Sequence, residues 1–317
     1  MSVAISIVIT TYNRARLLPR AVESVLAQTY GGFELIVVDD GSTDATGDLV
    51  GRWADARIRW SRVDHGGVSR ARNHGLEIAT GEWVAFLDDD NEWRPDYVER
   101  QLAHASTRPD ADVVYCVGEL YGADGTMLGC RPETFPTDVF AAVVAGWSPL
   151  VSATIMRRSL LESAGGYATS LESRVDIDLW LRVSSLTPFA GHCERLLLRH
   201  QHDGARLSLD PAISARSGVE LDRRWRREMI AHCGARAHRR FFRRCMCTSM
   251  NLAPESEQRA AAAHAARRLV TRLPWSATAI PFPLLLCAIG PHRYRRLRSG
   301  YRRLRHRFAP GGSERES

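Results

Sequence analysis

Lysine is absent from the chain: all 43 basic side chains among its 317 residues are arginine. A GC-rich coding bias accounts for the choice of cation, but it does not account for where the cations sit. Residues 205–317 hold 24 Arg against 8 Asp or Glu, net +16, so a total of +7 leaves −9 on residues 1–204. An acidic first part suits a cation site, and a basic tail suits an anionic surface. Paired cysteines are also missing. The seven (Cys116, Cys130, Cys193, Cys233, Cys245, Cys247, Cys287) are odd in number and scattered, with no C-x-x-C spacing, which argues against a disulfide framework and a zinc ribbon. They read as reduced thiols. No apolar run is long enough to span a bilayer: residues 276–289 make 14 mostly apolar positions, broken by Pro281 and Pro283. The first ten residues lack the basic start and small-residue cleavage site of a secretory signal, so a cytoplasmic location is expected. No glycine-rich, Lys-bearing phosphate loop follows the first apolar run, which argues against a nucleotidyltransferase of that type.

What is present is an alternation of short apolar runs with amphipathic stretches. Ile5–Ile9 fits a buried strand, and Leu17, Leu18, Ala21, Val22, Val25 and Leu26 then recur at helical spacing. Residues 34–38 make a second strand, closed by Asp39-Asp40-Gly41-Ser42. Ser42 or Asp44 can cap a following helix in which Leu49, Val50 and Trp53 share a face. Residues 58–60 read as a strand, 68–79 as a helix, and 84–87 as a strand running into Asp88-Asp89-Asp90. Further strands are expected at 112–117 and 151–156 and a helix at 176–185; beyond Leu209 only Arg-rich and Ala-rich helical patterns remain. This order predicts an α/β fold with an open, mostly parallel sheet over residues 1–208 and a helical, basic extension over 209–317. Ligands of such sheets bind beyond the carboxyl ends of the strands, so Thr10–Asn13, Asp39–Ser42 and Asp88–Asn91 should face one crevice. Three consecutive carboxylates at a strand end repel one another unless a cation neutralises them, and a divalent metal is the simplest resolution.

Five segments resemble, in order and spacing, the family 2 glycosyltransferases of the GT-A fold. They are Ile7-Val-Ile-Thr-Thr-Tyr-Asn13, Val37-Val-Asp-Asp-Gly-Ser-Thr-Asp44, Ser69-Arg-Ala-Arg-Asn-His-Gly75, Gly81-Glu-Trp-Val-Ala-Phe-Leu-Asp-Asp-Asp90 and Asp176-Ile-Asp-Leu-Trp-Leu-Arg182. The resemblance covers roughly residues 3–208. It implies an inverting transfer of a sugar from a nucleotide-sugar donor, UDP- or dTDP-linked, to a sugar, lipid-linked or small-molecule acceptor. Thr10 and Tyr12 would line the nucleotide pocket. Asp40 would accept the N3–H of a pyrimidine ring, a job for which an acceptor-only carboxylate is suited. Arg72 would reach the pyrophosphate, and Asp89 would stand beside the donor. Asp88 and Asp90 match the family's Asp-x-Asp and would hold Mn²⁺ or Mg²⁺, with His202, in the His200–Ser208 segment, as a further ligand.

By the same resemblance Asp176 would be the base that deprotonates the acceptor hydroxyl. The residue before it departs from the family pattern, which commonly has Glu where this chain has Val175. That loss puts acceptor type in question and leaves, as the alternative, a catalytically impaired nucleotide-sugar-binding protein. Asp178, two residues on, sits elsewhere on the helix and reads as a solvated or capping residue.

In the tail, Tyr294, Leu297, Tyr301, Leu304 and Phe308 recur at intervals of three and four among eight arginines between Arg293 and Arg307. This is the pattern of a basic interfacial helix on an anionic membrane surface; the competing reading is a stripe packed on the chain's own domain. No nucleic-acid-binding module accompanies the arginines, so a nucleic-acid partner is not expected. Each Arg near an anionic bilayer contributes roughly 1 kcal/mol. The full chain should therefore co-sediment with anionic liposomes, detach in part at high salt, and lose the interaction when truncated after Arg272. A full chain that stays in the supernatant with both anionic and neutral lipid would assign the stripe to intramolecular packing.

Overall fold

Among the described residues the apolar runs assemble into one nine-stranded sheet. In a computed structural model of the chain, residues 3–122, 124–131, 134–201 and 210–252 are described. The first four strands are β1 (Ile5–Thr11), β2 (Phe33–Asp39), β3 (Ile58–Arg62) and β4 (Trp83–Asp88), all parallel. β2 is buried at every position, which explains its unbroken apolar character between Leu35 and Val38. Between β1 and β2, α1 (Leu18–Leu26) buries Leu18, Ala21, Val22 and Val25, with Pro19 in the first turn, where its missing N–H costs nothing. α2 (Val68–Glu77) leads into β4.

The second half supplies β5 (Asn91–Trp93), α3 (Tyr97–Thr107), β6 (Val113–Tyr121), β7 (Met127–Arg131), α4 (Val139–Ala145), β8 (Thr154–Arg157), α5 (Arg158–Ser163), α6 (Val175–Val183) and β9 (Phe189–His200). The sheet order is β3-β2-β1-β4-β8-β6-β9-β5, with β7 on β6. β8 is antiparallel to both β4 and β6, and β9 is parallel to β6, so β6 and β9 point the same way as the first four strands. Six of the nine strands thus share one direction, the mostly parallel α/β sheet expected, and β5, β7 and β8 run against it. The β6–β7 reversal has a local cause. A short turn, closed by Gly122 N–H donating to Thr126 O at 2.8 Å, leaves no room for the crossover a parallel pair needs.

Two expectations need correction. The helix placed after Asp44 is only a 3₁₀ turn, Gly47–Gly51, with no side-chain cap. Its presumed caps are engaged elsewhere: Ser42 Oγ accepts the N–H of Asn13 at 2.9 Å, and Asp44 Oδ1 accepts the N–H of Thr46 at 2.9 Å. Asp178 is not solvated but fully buried. Its carboxylate accepts from Arg182 Nε at 3.0 Å, Trp225 Nε1 at 2.9 Å and Arg224 at 3.4 Å.

Trp225 and Arg224 belong to α7 (Pro211–Leu252), where the Arg-rich pattern does form helix. Gly234, at φ 83° and ψ 157°, breaks it into two arms, and the second folds back so that His238 Nε2 meets Asp222 Oδ1 at 2.6 Å, both side chains buried. Residues 220–241 belong to the same compact unit as the sheet. No helix among the described residues is long and apolar enough to cross a membrane. His202, the apolar run 276–289 and the stripe 294–308 lie outside the described residues.

Removing the Asp178 carboxylate would strand two guanidinium groups and an indole N–H. Asp178→Ala should therefore lower unfolding free energy by about 2–4 kcal/mol in urea or thermal melts. Asp176→Asn, two residues away, should change it by less than about 1 kcal/mol.

Candidate active site

Strand order reverses at β1: β2 and β3 lie to one side and β4 to the other. The crevice of such a sheet opens beyond the carboxyl ends of the strands flanking that point. The register puts Thr10 level with Val38 on one neighbour and Asp88 on the other.

The loops after β1 and β2 are laced together. Asp40 N–H donates to Thr11 O at 2.9 Å, and Asn13 Oδ1 accepts from the backbone of Thr43 (2.7 Å) and Asp44 (3.3 Å). Asn13 takes a left-handed φ of 53° to do so, a conformation Asn tolerates better than most residues. Asp39 forms the turn itself, its Oδ1 accepting the N–H of Ser42 at 2.8 Å, which leaves Asp40 as the aspartate of the pair that faces the next loop. Its two oxygens accept the N–H groups of Gly66 (2.8 Å) and Gly67 (2.9 Å), and His65 Nδ1 lies 2.9 Å from Oδ2. Between them Gly41 is obligatory: φ is +76°, and a Cβ there would come within 2.8 Å of His65 N. The same His65 stacks on Tyr12, with ring centroids 4.0 Å apart and planes at 19°. Tyr12 and His65 are both exposed, so the sheet end carries an aromatic platform bordered by the Asp40 carboxylate.

The three aspartates after β4 have three different surroundings. Asp88 receives Arg72 at 2.7 Å while staying 42% exposed, and its backbone N–H donates to Ser152 Oγ at 3.1 Å. Asp89, expected beside the donor, is turned inward: it is 9% exposed and accepts the Thr11 hydroxyl at 2.8 Å. Burial pushes its carboxyl up to about 7, against the opposing pull of Arg14 and of that hydrogen bond. Asp90 Oδ2 stands 3.8 Å from Arg14, and its carbonyl accepts from Arg20 at 2.9 Å.

Asp176 occupies the first turn of α6, entered through Arg174 in a left-handed conformation with φ 58°. The residue as a whole is half-buried, and burial of its carboxyl raises the pKa from the ordinary 3.8, opposed by the N–H of Ile177 and by the charges of Arg72 and Arg174. Arg72, expected at the pyrophosphate, is 8% exposed on its side chain and bonded to Asp88. Burial works against its charge, but Tyr167, Asp88 and Asp176 together hold its pKa above the usual guanidinium value. Val175 is buried, so the position where the family commonly has Glu sends no side chain to the surface.

Among the described residues no group of three His, Cys, Asp or Glu converges to enclose a metal alone. Asp88 and Asp90 are nevertheless hard oxygen donors at one strand end, and Mg²⁺ commonly takes one or two carboxylates and fills its shell with water and substrate phosphates. The donor set fits such a cation. Sequence reasoning missed Arg14, His65, Ser152 and Tyr167. Arg14 directly follows a quoted motif and could have been found; Ser152 and Tyr167 come from distant segments that no local pattern connects to the site.

The family model for glycosyl transferase family 2 matches residues 6–135. An uncharacterized glycosyltransferase of Rickettsia felis is 28% identical over 208 residues, 65% of this chain and 34% of that protein. One from Nostoc is 39% identical over 126 residues, 39% of each chain. Glycosyltransferase GlyG of Streptococcus pneumoniae is 36% identical over 127 residues, 39% of this chain and 41% of that one. This chain thus spans 34 to 41% of the length of these relatives. Among solved structures, S. aureus TarS 1–349 in complex with UDP-GlcNAc superposes with a TM-score of 0.56 at 18% identity, covering 95% of this chain and 92% of that one, which shows a shared fold.

Proposed function

From a chain that belongs to glycosyl transferase family 2 and carries the GT-A fold, we propose an enzyme that moves a sugar from a UDP- or dTDP-linked donor to an acceptor hydroxyl with inversion at the anomeric carbon. The observation that carries the reading is the placement of Asp88 and Asp176 around one buried guanidinium. Arg72 bonds Asp88 at the donor end of the crevice, and its charge also acts on the half-buried Asp176. The aromatic platform of Tyr12 and His65 beside Asp40 suits a pyrimidine ring, since Asp40 Oδ1 accepts the Gly66 N–H and has a second lone pair for an imide N–H. The nucleotide in the superposed TarS complex supports the same donor class.

Asp176 takes the proton of the acceptor hydroxyl as that oxygen attacks the anomeric carbon. The bond from that carbon to the diphosphate oxygen breaks on the opposite face. This reading assigns Asp176 the role of base and gives no side chain the role of nucleophile, so the transfer is a single displacement that inverts the centre. Asp88 and Asp90, with His202, would hold Mn²⁺ or Mg²⁺, which when bound neutralises negative charge on the departing diphosphate. Arg72 stays charged throughout and steadies the anionic form of Asp176. The acceptor is a sugar, a lipid-linked molecule or a small molecule, and a peripheral position on an anionic membrane would favour the lipid-linked class.

Incubation with UDP- and dTDP-sugars plus Mn²⁺ should release nucleoside diphosphate, and EDTA should stop it; full turnover in chelator would remove the metal from the reading. Asp90→Ala should slow release on the order of 10²-fold or more in a folded protein. Asp176→Asn should lower kcat on the order of 10²–10⁴-fold with nucleotide affinity intact, because the amide cannot accept the proton. Because Asp176 must be ionised to act and burial raises its pKa, the acid-side fall of kcat should come at a higher pH than an unperturbed aspartate would give. Wild-type rates in Asp176→Asn would favour a binding protein without catalysis through this residue.

A further inference from the structure

Tyr167 belongs to none of the motifs that mark the site, yet two neighbouring residues of α2 hold it from two sides. Gly165 and Gly166 leave α5 in left-handed conformations, φ +77° and +64°, and a Cβ at Gly166 would come within 2.5 Å of Asn73 Oδ1. The turn therefore brings the backbone of Tyr167 against Asn73. Asn73 Oδ1 accepts the Tyr167 N–H at 2.7 Å, and Asn73 Nδ2 donates to the Tyr167 carbonyl at 2.8 Å. Arg72, the adjacent residue, lays its guanidinium over the Tyr167 ring at 4.9 Å. The ring is fixed in turn by Phe86 of β4, edge-on at 5.1 Å and two residues before Asp88. Tyr167 is 1% exposed, and among the described residues its hydroxyl has no hydrogen-bond partner.

A buried guanidinium held by a carboxylate at one end, as Arg72 is by Asp88, has rotational freedom about that contact. The face of an aromatic ring removes it, because the cation is attracted to the π surface and the plane of the fork is set by the plane of the ring. Here the ring is itself immobile, clamped through its backbone by Asn73 and through its edge by Phe86. We infer that Tyr167 is a positioning residue for the transfer reaction: its ring fixes the Arg72 guanidinium on the donor-side carboxylate Asp88, and with it the positive charge that acts on the acceptor-side base Asp176. The inference rests on the transferase reading of this site and adds a residue of α2's distant partner loop to it. It also assigns Arg72 to orienting the two carboxylates, in place of anchoring the donor phosphates.

The test compares the full-length wild type with Tyr167→Leu, Tyr167→Met and Tyr167→Phe. Nucleotide release is measured across donor concentration, and thermal melts are recorded with and without UDP and Mn²⁺. The Leu and Met variants should lose roughly 10²-fold in kcat, the scale of a small misplacement of a catalytic constellation, with donor KM within about three-fold of wild type. Phe, which keeps the ring and drops the hydroxyl, should recover at least about ten-fold of that loss. The proposal is overturned by an unchanged kcat in a folded Leu or Met variant. It is also overturned by a loss expressed in donor KM, which would make Arg72 a phosphate anchor, or by a Phe variant as impaired as Leu, which would assign the effect to the hydroxyl. Failure of both Leu and Met to fold would reduce Tyr167 to a core residue and overturn it too. A readout independent of turnover is the ring-current shift of the Arg72 side-chain protons by NMR, expected in wild type and Phe and absent in Leu. If that shift is present while no UDP- or dTDP-sugar is turned over, the transferase reading fails and the positioning stands; if it is absent from the wild type, the positioning fails whatever the activity.

Discussion

Like-charge crowding at the end of the sheet is the constraint that the site is built around. Two strands flanking β1 end in Asp39-Asp40 and Asp88-Asp89-Asp90, and ionised carboxylates at such spacing are stable only if each finds its own compensation. The structure supplies a different one at each position. Asp39 takes a backbone N–H within its own turn, Asp40 takes two from the Gly66-Gly67 loop, Asp88 takes Arg72, Asp89 takes a hydroxyl and is pushed toward its neutral form, and Asp90 lies by Arg14. The crevice therefore stays acidic toward solvent only where a charge can be used, at the part-exposed Asp88 and its neighbour Asp90. In the proposed reaction a cation bound there would complete the compensation.

Much of this is legible before any coordinates, because the first half of the chain obeys local rules. Apolar runs ended by Asp-Asp-Gly and Asp-Asp-Asp give strand ends, and parallel α/β order sends those ends to one side. What stays illegible depends on partners far apart in sequence. Asn73 and Tyr167 are 94 residues apart, and Asp178 and Trp225 are 47 apart. Neither pair has a period or a cap that would reveal it. Asp178 is the clearest case: an aspartate in a helical segment reads as solvated because most are, and only the indole and guanidinium groups arriving from α7 make its burial affordable. The 3₁₀ turn at Gly47–Gly51 failed for the related reason that a capping side chain can be taken by another loop, as Ser42 is by Asn13.

The two aspartates of α6 show how the segment 220–241 is joined to the unit that holds the sheet. Positions i and i+2 of a helix lie about 200° apart, so Asp176 and Asp178 look to opposite sides of the same turn. One faces the charge of Arg72 and stays half-buried; the other is sealed against Arg182, Arg224 and Trp225. The rotation of α6 about its own axis is thus fixed from behind by the helix that follows the sheet, and the orientation of the proposed base is fixed with it. The segment 220–241 is for this reason part of the compact unit that holds the sheet and not an appendage to it.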